Sequence, residues 1–599
     1  MAVFYPSRAE VPENFTWNLK DLFENDEAWL AEYEALKALP EEIAAFRGHL
    51  GDDAETLLRW MRLNDESELR FGRLYGYASC KSDQDTGEAK YQDFRGKAMG
   101  LIVAVSSASA FAAPEIMALE EDRLNLFYIA QPELETYRRS LYQIRRRAAH
   151  ILSPAEERLL AAAGEMSETP HNVNSIFSNA DLRFPSAEDM QGEMHPITNG
   201  SFVPLLESPD RVLRENAFKA YYGRLGEFKN TVAATLDGQF KQLRFFAQAR
   251  GYESTLAASL DHTEVPTAVY HNLIEAVHQN LDKMYAYVAL RKKLLGVDEL
   301  HMYDVYTPIV PDAAATISYE EAKSTVLEAL AVLGEDYTAL LREGFENRWI
   351  DVYENKGKRG GAYSSGNARP HPYVLLNHKD TLDSMFTLAH EMGHALHSYH
   401  SCKYQPVCTS DYVIFVAEVA STCNEVLLMR HLLGKTSDKQ ARAYLINHFL
   451  DQFKGTVYRQ TMFAEFELMM GQLSEAGETL TAETLCEKYG ELNRLYFGPE
   501  MISDGEISLE WARIPHFFYN YYVFQYATGF SAAVAIANRI LKEGEEAVRD
   551  YKRFLSSGSS ADPISLLKIA GVDMGSPEPV NSALALFGEL VEELKTLMD

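Results

Sequence analysis

Five consecutive residues, His390-Glu391-Met392-Gly393-His394, constrain this chain more than any other stretch, because their chemistry needs a helix beneath it. The surrounding sequence predicts one. Leu382, Met385, Phe386, Ala389, Met392, Leu396 and Tyr399 recur at three- and four-residue spacing between Thr381 and His400, and Asp380 or Thr381 can cap the start. On that helix His390 and His394 stand about 40° apart in azimuth and roughly 6 Å apart along the axis. Two imidazoles so placed reach one Zn²⁺ at about 2.0–2.1 Å. Glu391 then points toward the open side of the metal, where it can take a proton from a water and pass it to a leaving amine. The competing account is a surface helix that happens to carry several histidines.

Such a site needs a third protein ligand and an open fourth position. His400 falls where one metalloprotease pattern places a third histidine, but that pattern needs a glycine in between to turn the chain back, and this sequence has His397 there. If the helix continues, His400 lies roughly 15 Å along the axis from His390 and cannot share its metal. The alternative is an acid from a second helix. Tyr412 to Arg430 is helical in pattern and strongly apolar around two acids, Glu418 and Glu425, which are seven apart and share a face. An acid on a buried face is costly unless paired or ligated. Glu418, 24 residues after His394, is therefore expected as third ligand, and Glu425 as the partner that orients a histidine from behind. A helix-face salt bridge is the competing account for either acid.

The bulk numbers fit a globular chain and exclude several classes. With 599 residues, two or more lobes are expected. A formal net charge of −30 argues against nucleic acid, whose phosphates need clustered Lys and Arg, and disfavours anionic membrane surfaces. Five scattered cysteines do not make a disulfide framework. Cys402 and Cys408 are read as small apolar residues in a reducing compartment rather than as metal ligands. No signal peptide is visible at the start, and no uninterrupted apolar run approaches the roughly 20 residues of a membrane span. A cytoplasmic protein is expected.

Along the chain, residues 20 to about 180 read as successive helices: Ala28 to Leu39, Ala54 to Gly76, Ala89 to Ala112 and Leu134 to Ala149, with Ser153-Pro154 starting another. Pro, Gly and Asn between short extended runs at 182 to 210 suggest a hairpin or linker. Helical patterning resumes from Asp210 to about Gly296 and from Ser318 to Gly344. The least helical part is 350 to 379, with a glycine-rich loop from Asn355 to Gly366 and a strand at Tyr373 to Asn377. The loop lacks the ending of a phosphate cradle; backbone lying near a substrate and a plain surface turn are its two readings.

A second anomaly runs from Arg513 to Tyr526. Pro515 suits a helix start, and His516, Tyr519, Tyr522 and Tyr526 then fall on roughly one stripe. Four hydrogen-bonding side chains on one stripe are hard to bury without partners, whereas peptide hydrolysis needs donors aimed at an oxyanion.

Taken together, the zinc helix, Phe415-Val-Ala-Glu-Val-Ala-Ser, Gly-Gly-Ala-Tyr-Ser at 360–364 and the stretch from Ile514 to Gly529 resemble the M3 family of zinc metallopeptidases, on its oligoendopeptidase F branch. The resemblance covers most of the chain. It implies a mostly α, zincin-like, multi-helical molecule with a small β-sheet by the active site and a deep internal channel that admits only short peptides. Its expected division is an N-terminal helical region, 1–185, and a catalytic region, 186–599. It also implies that His516 and some of Tyr519, Tyr522 and Tyr526 bind substrate or stabilise the oxyanion. Tyr519 and Tyr526 keep the seven-residue separation of the thimet-like branch and are favoured over Tyr522. Gly360, Gly361, Ala362 and Tyr363 would lie near the substrate, with the following strand available to pair with a peptide backbone. Within enzymes the rival reading is a dipeptidyl carboxypeptidase of angiotensin-converting type; outside them, a catalytically silent peptide-binding scaffold. Oligomeric state is left open.

Overall fold

The computed structural model describes residues 3–310, 316–365 and 370–599. Its architecture is helical with a few very short strands. The helices begin where local chemistry starts them. Asp53 accepts from the Thr56 amide to open Ala54–Gln84, Asp210 opens the 39-residue helix Arg211–Ala249, and Ser153 with Glu156, like Ser318 with Glu321, closes a capping box. They end where backbone freedom is needed: Leu281–Leu295 stops at Gly296, which adopts a left-handed conformation.

The boundaries differ from the periodicity in instructive places. The helix predicted from Leu134 to Ala149 is a 3₁₀ segment Pro132–Tyr137 followed by a helix Arg138–Arg145. Pro40 starts a second helix, Leu39–Ala44, where one was expected to end. The stretch Ser-Phe-Val-Pro, within the segment read as hairpin or linker, opens a short helix, Phe202–Leu206, whose ends Phe202 and Leu206 are buried. The expected hairpin is present as Ala187–Glu188 paired antiparallel with Met194–His195. One segment, Ala89–Met117, is long and apolar enough by length and composition to cross a membrane. It is two helices, and it carries Lys90, Asp93, Arg95 and Lys97 and buries Phe94, Ala98, Leu101 and Ile116 in a protein core.

The chain divides into two compact units. One comprises Met1–Ala149, Ala315–His431 and Ile536–Val572; the other comprises His150–Ala314, Leu432–Ala535 and Asp573–Asp599. In the first, a continuous apolar core runs from Trp17 through Trp29, Trp60, Leu74 and Leu141 to Tyr373 and Leu375. Through those last two residues the N-terminal helices grip a three-stranded sheet in the order Ile350–Asp351, Val374–Leu375, Tyr363–Ser364. The predicted strand at Tyr373 to Asn377 is thus its centre, paired parallel on one side and antiparallel on the other. Paired on both sides at Val374–Leu375, it is not available there to a peptide backbone, contrary to expectation; the two edges are Ile350–Asp351 and Tyr363–Ser364. Gly366, the end of the glycine-rich loop, lies outside the described residues.

A buried ion cluster anchors this sheet. The Asp351 carboxylate is inaccessible to solvent, lies 2.8 Å from the ammonium of the equally buried Lys358, and accepts from Arg8 in the N-terminal segment. Those two cations outweigh the cost of burial and hold the Asp351 pKa below the usual range. Asp351→Ala would leave the Lys358 charge buried and unpaired, so a loss of roughly 3–5 kcal/mol is expected in denaturant unfolding. A loss below about 1 kcal/mol would contradict this account of the sheet.

Candidate metal centre

The helix predicted at Thr381 runs from Leu382 to Tyr404, with the Thr381 side chain accepting from the Ser384 amide at 3.2 Å. Its apolar stripe is buried at Met385, Phe386, Ala389, Met392 and Leu396. A second helix, Ile414–Lys435, lies against it. What permits their contact is Gly393: a β-carbon there would meet Ser421 Cα at 2.6 Å and the Ala420 carbonyl oxygen at 2.8 Å. Next to this crossing the Asn424 amide donates to the Ala389 carbonyl at 3.1 Å, and Tyr337 donates to Asn424 at 3.0 Å. Neither the role of Gly393 nor that of Asn424 was visible in the sequence, because both depend on a helix that returns two dozen residues later.

The crossing brings three ligand atoms together. His390 Nε2 and His394 Nε2 are 3.1 Å apart, and each lies 3.3 Å from Glu418 Oε2. A tetrahedral ion with bonds of about 2.0–2.1 Å has ligand-to-ligand edges of about 3.3 Å, so the spacing suits a metal ion held by these three residues. The charge balance suits it too: Glu391, Glu418 and Glu425 converge on two imidazoles, and partly buried carboxylates need a cation. Burial opposes ionisation of Glu418, but hydrogen bonds and charge from His390 and His394 outweigh it and hold its pKa well below the ordinary range. Burial likewise opposes protonation of His390, yet Glu418 and Glu425 hold its pKa well above the usual imidazole value.

The surroundings fix the ligands. Glu425 contacts His390 Nδ1, on the far side of the ring from Glu418. A carboxylate accepting from Nδ1–H leaves the Nε2 lone pair for a metal. Ser421 lies 3.2 Å from Glu418 Oε2 and also donates to the Glu418 carbonyl. Glu391 is 6 % exposed, with Oε2 lacking a protein partner among the described residues; desolvation raises its pKa. The helix continues through His400 to Tyr404, and His400 is not among the grouped ligands.

The glycine-rich loop lines a cleft of about 530 Å³ with Asn377, His378 and Thr387, the last one turn before His390. Gly360, Gly361 and Ala362 border it, and the Asn377 amide holds the Gly361 carbonyl at 2.8 Å. Tyr363 faces elsewhere: its hydroxyl donates to Asp83 at 2.8 Å.

In the other unit, the expected continuous helix from Pro515 is corrected. A 3₁₀ turn, Pro515–Phe518, ends the segment, Asn520 and Tyr521 both take left-handed backbone angles (φ 57° and 60°), and a new helix starts at Phe524. Left-handed backbone is unfavourable for non-glycine residues, so neighbours must impose it. Three do. Gln239 donates to Asn520 at 2.8 Å, the Tyr521 amide donates to Glu467 at 2.6 Å, and the Tyr521 hydroxyl meets Thr255 at 2.7 Å, in space that exists because residue 471 is glycine. The turn still gathers the predicted rings. His516 lies 5.4, 6.2 and 6.0 Å from Tyr519, Tyr522 and Tyr526 between centroids, and Tyr526 Oη is 3.4 Å from His516 Nε2. His171, which sequence reasoning passed over, joins at 5.8 Å from Tyr519.

The chain belongs to peptidase family M3: that family's model matches residues 204–586, and one described as Oligopeptidase F matches 115–184. It is accordingly a metal-dependent peptidase. It is 48 % identical over 593 residues to Oligopeptidase PepF of Bacillus subtilis, covering 99 % of this chain and 88 % of that one. An oligoendopeptidase F homolog of Lactococcus lactis is 42 % identical with 99 % of both chains covered. The crystal structure of oligoendopeptidase-F from Enterococcus faecium superposes with TM-score 0.75 at 39 % identity, covering 96 % of this chain and 99 % of that one. A crystallised protein of Chlamydophila abortus superposes at 0.93 with 34 % identity, over 99 % of this chain and 100 % of that one.

Two outcomes follow. Gly393→Ala forces the helices apart, so metal retention against a chelator should fall along with a stability loss of about 1–3 kcal/mol; unchanged metal retention would contradict the packing argument. Glu467, fully buried, is pushed up from 4.5 to about 8 by desolvation. The folded chain therefore holds a proton that the unfolded chain has released, and the stability this confers is lost as pH rises through about 8. Glu467→Gln should flatten the fall in melting temperature between about pH 5 and pH 9; parallel curves for the two proteins would contradict it.

Proposed function

We propose that this peptidase is a zinc-dependent oligoendopeptidase that hydrolyses internal bonds of short, unfolded peptides. The observation that carries the reading is the group of His390, His394 and Glu418, with ligand atoms spaced for one tetrahedral ion and Glu391 beside them. The names of the relatives, oligopeptidase and oligoendopeptidase, support the substrate class and the internal position of cleavage over dipeptide release from a C-terminus. An internal channel that selects extended short peptides is part of this proposal. Two imidazole nitrogens and one carboxylate oxygen form a donor set that suits Zn²⁺.

When bound, the ion supplies Lewis acidity toward the scissile carbonyl and lowers the pKa of a water at its open position. Glu391 acts as the base that takes the water's proton onto a carboxylate oxygen and as the acid that delivers it to the departing amine. Its desolvated setting moves its pKa toward the range in which both transfers are efficient. Glu425 keeps His390 in the tautomer that ligates. Burial and the Arg459 charge lower the His516 pKa and favour its neutral ring. With Tyr519 and Tyr526 it is assigned to the developing oxyanion, and Tyr522 to substrate contact. Gly360, Gly361 and Ala362 offer backbone groups to the peptide, and Tyr363 contributes through the sheet edge rather than through its hydroxyl. The five cysteines form no disulfide among the described residues, and the cytoplasmic setting expected from the sequence is part of this proposal.

Glu391→Gln should keep its zinc, measured by metal analysis, and lose roughly 10²–10⁴-fold in turnover of an internally quenched peptide with a blocked C-terminus. Substantial remaining turnover would sink the assignment of Glu391. Failure of the wild-type protein to cut any blocked peptide would sink the endopeptidase reading.

A further inference from the structure

Within the second unit, two arginines share one acid beside the His516 cluster. Arg459, at the start of the helix Arg459–Glu475, donates to Glu510 Oε1 at 2.6 Å, and Arg513 donates to the same oxygen at 2.7 Å. The other oxygen of Glu510 accepts from the Tyr489 hydroxyl at 2.5 Å. Burial opposes ionisation of Glu510, but the two guanidiniums outweigh it and hold its pKa down to about 2. One carboxylate against two guanidiniums leaves one positive charge unmatched.

The surroundings do not cancel that charge. The other groups facing the two arginines are tyrosines: Tyr221, Tyr222, Tyr306 and Tyr489. The charged groups a little further off balance among themselves, since Lys454 and Arg291 lie 2.6 and 3.8 Å from Asp451 and Glu207 stands beside them. In a chain of net charge −30, a mostly buried cation without a counter-ion is a costly exception. It is also open to a ligand. The Arg459 and Arg513 side chains are 21 % and 15 % exposed. Among the described residues Arg459 hydrogen-bonds protein through Nη2 alone, and Arg513 through Nε and Nη2.

The position ties this charge to the residues assigned to the peptide. The Arg459 guanidinium lies over the Phe463 ring at 4.5 Å, and Phe463 meets Phe517, the neighbour of His516, at 5.7 Å between centroids. Arg513 precedes His516 by three residues, and the Arg459 charge reaches the His516 imidazole and disfavours its protonation. We propose that Arg459, together with Arg513, binds a carboxylate of the peptide substrate next to His516. This rests on the oligoendopeptidase reading. The planar guanidinium fork matches a carboxylate, and the unmatched charge selects an anion over a neutral group. A free C-terminus and an acidic side chain both offer that chemistry.

The test uses the full zinc-loaded chain and three internally quenched peptides of one otherwise neutral sequence. The first has a free C-terminal carboxylate, the second a C-terminal amide, and the third the amide with one added glutamate. At least one carboxylate-bearing peptide should exceed the plain amide in kcat/KM by about tenfold or more, with the difference carried by KM. Arg459→Gln leaves Glu510 paired with Arg513 and should bring that ratio toward one, while Arg459→Lys should restore part of it. Because the ratio is taken within each enzyme, a general loss of folded or metal-loaded protein does not move it. Whichever peptide shows the preference identifies the carboxylate as chain end or side chain. Equal turnover of all three peptides by the wild type, or a ratio undiminished in Arg459→Gln, overturns the proposal. Failure to cut any of the three would instead sink the endopeptidase reading, and this proposal with it.

Discussion

The contact at Gly393 is the constraint on which the metal centre depends. Two helices carry the ligands, and they can share one ion only if their backbones approach until a β-carbon no longer fits, with Ser421 Cα 2.6 Å from where one would stand. That approach sets Glu418 Oε2 at 3.3 Å from both imidazoles and places Glu425 behind His390. Asn424 adds direction: its amide ties the second helix to the Ala389 carbonyl, one residue before the first ligand. Close packing therefore gives the geometry, and the two seven-spaced acids supply the chemistry.

A second constraint of the same kind operates in the other unit. A tyrosine and an asparagine with left-handed backbone are held by Gln239, Glu467 and Thr255, and the turn they form is what clusters His516 with three tyrosines. Strain of this sort persists where surrounding structure imposes it, and it is concentrated at functional sites. The buried Glu467 is protonated up to about pH 8, so the lock on Tyr521 is made by a neutral acid rather than by a charge.

How much of this could be read from the chain follows the range of each interaction. The metal helix, its cap at Asp380 or Thr381 and the shared face of Glu418 and Glu425 are set by residues within a few turns of one another, and the sequence pattern reveals them. The turn at Asn520–Tyr521 was missed because no glycine or proline marks it; the groups that impose it come from residues 239, 255 and 467. The sheet order was missed for a related reason, since pairing of Val374–Leu375 on both sides involves strands from either side of it in sequence. Residues 182 to 210 read as hairpin or linker from their proline, glycine and asparagine, whereas burial of Phe202 and Leu206 decides for a helix over Phe202–Leu206. Local chemistry was legible, and imposed chemistry was not.

The account's central claim is that His390, His394 and Glu418 together hold one zinc ion. Anomalous diffraction from crystals of the zinc-loaded protein, recorded on either side of the zinc absorption edge, tests it most directly. The expected result is a single peak within about 2.0–2.2 Å of both Nε2 atoms and the Glu418 carboxylate. A peak that excludes Glu418, or one placed at His400, would contradict it.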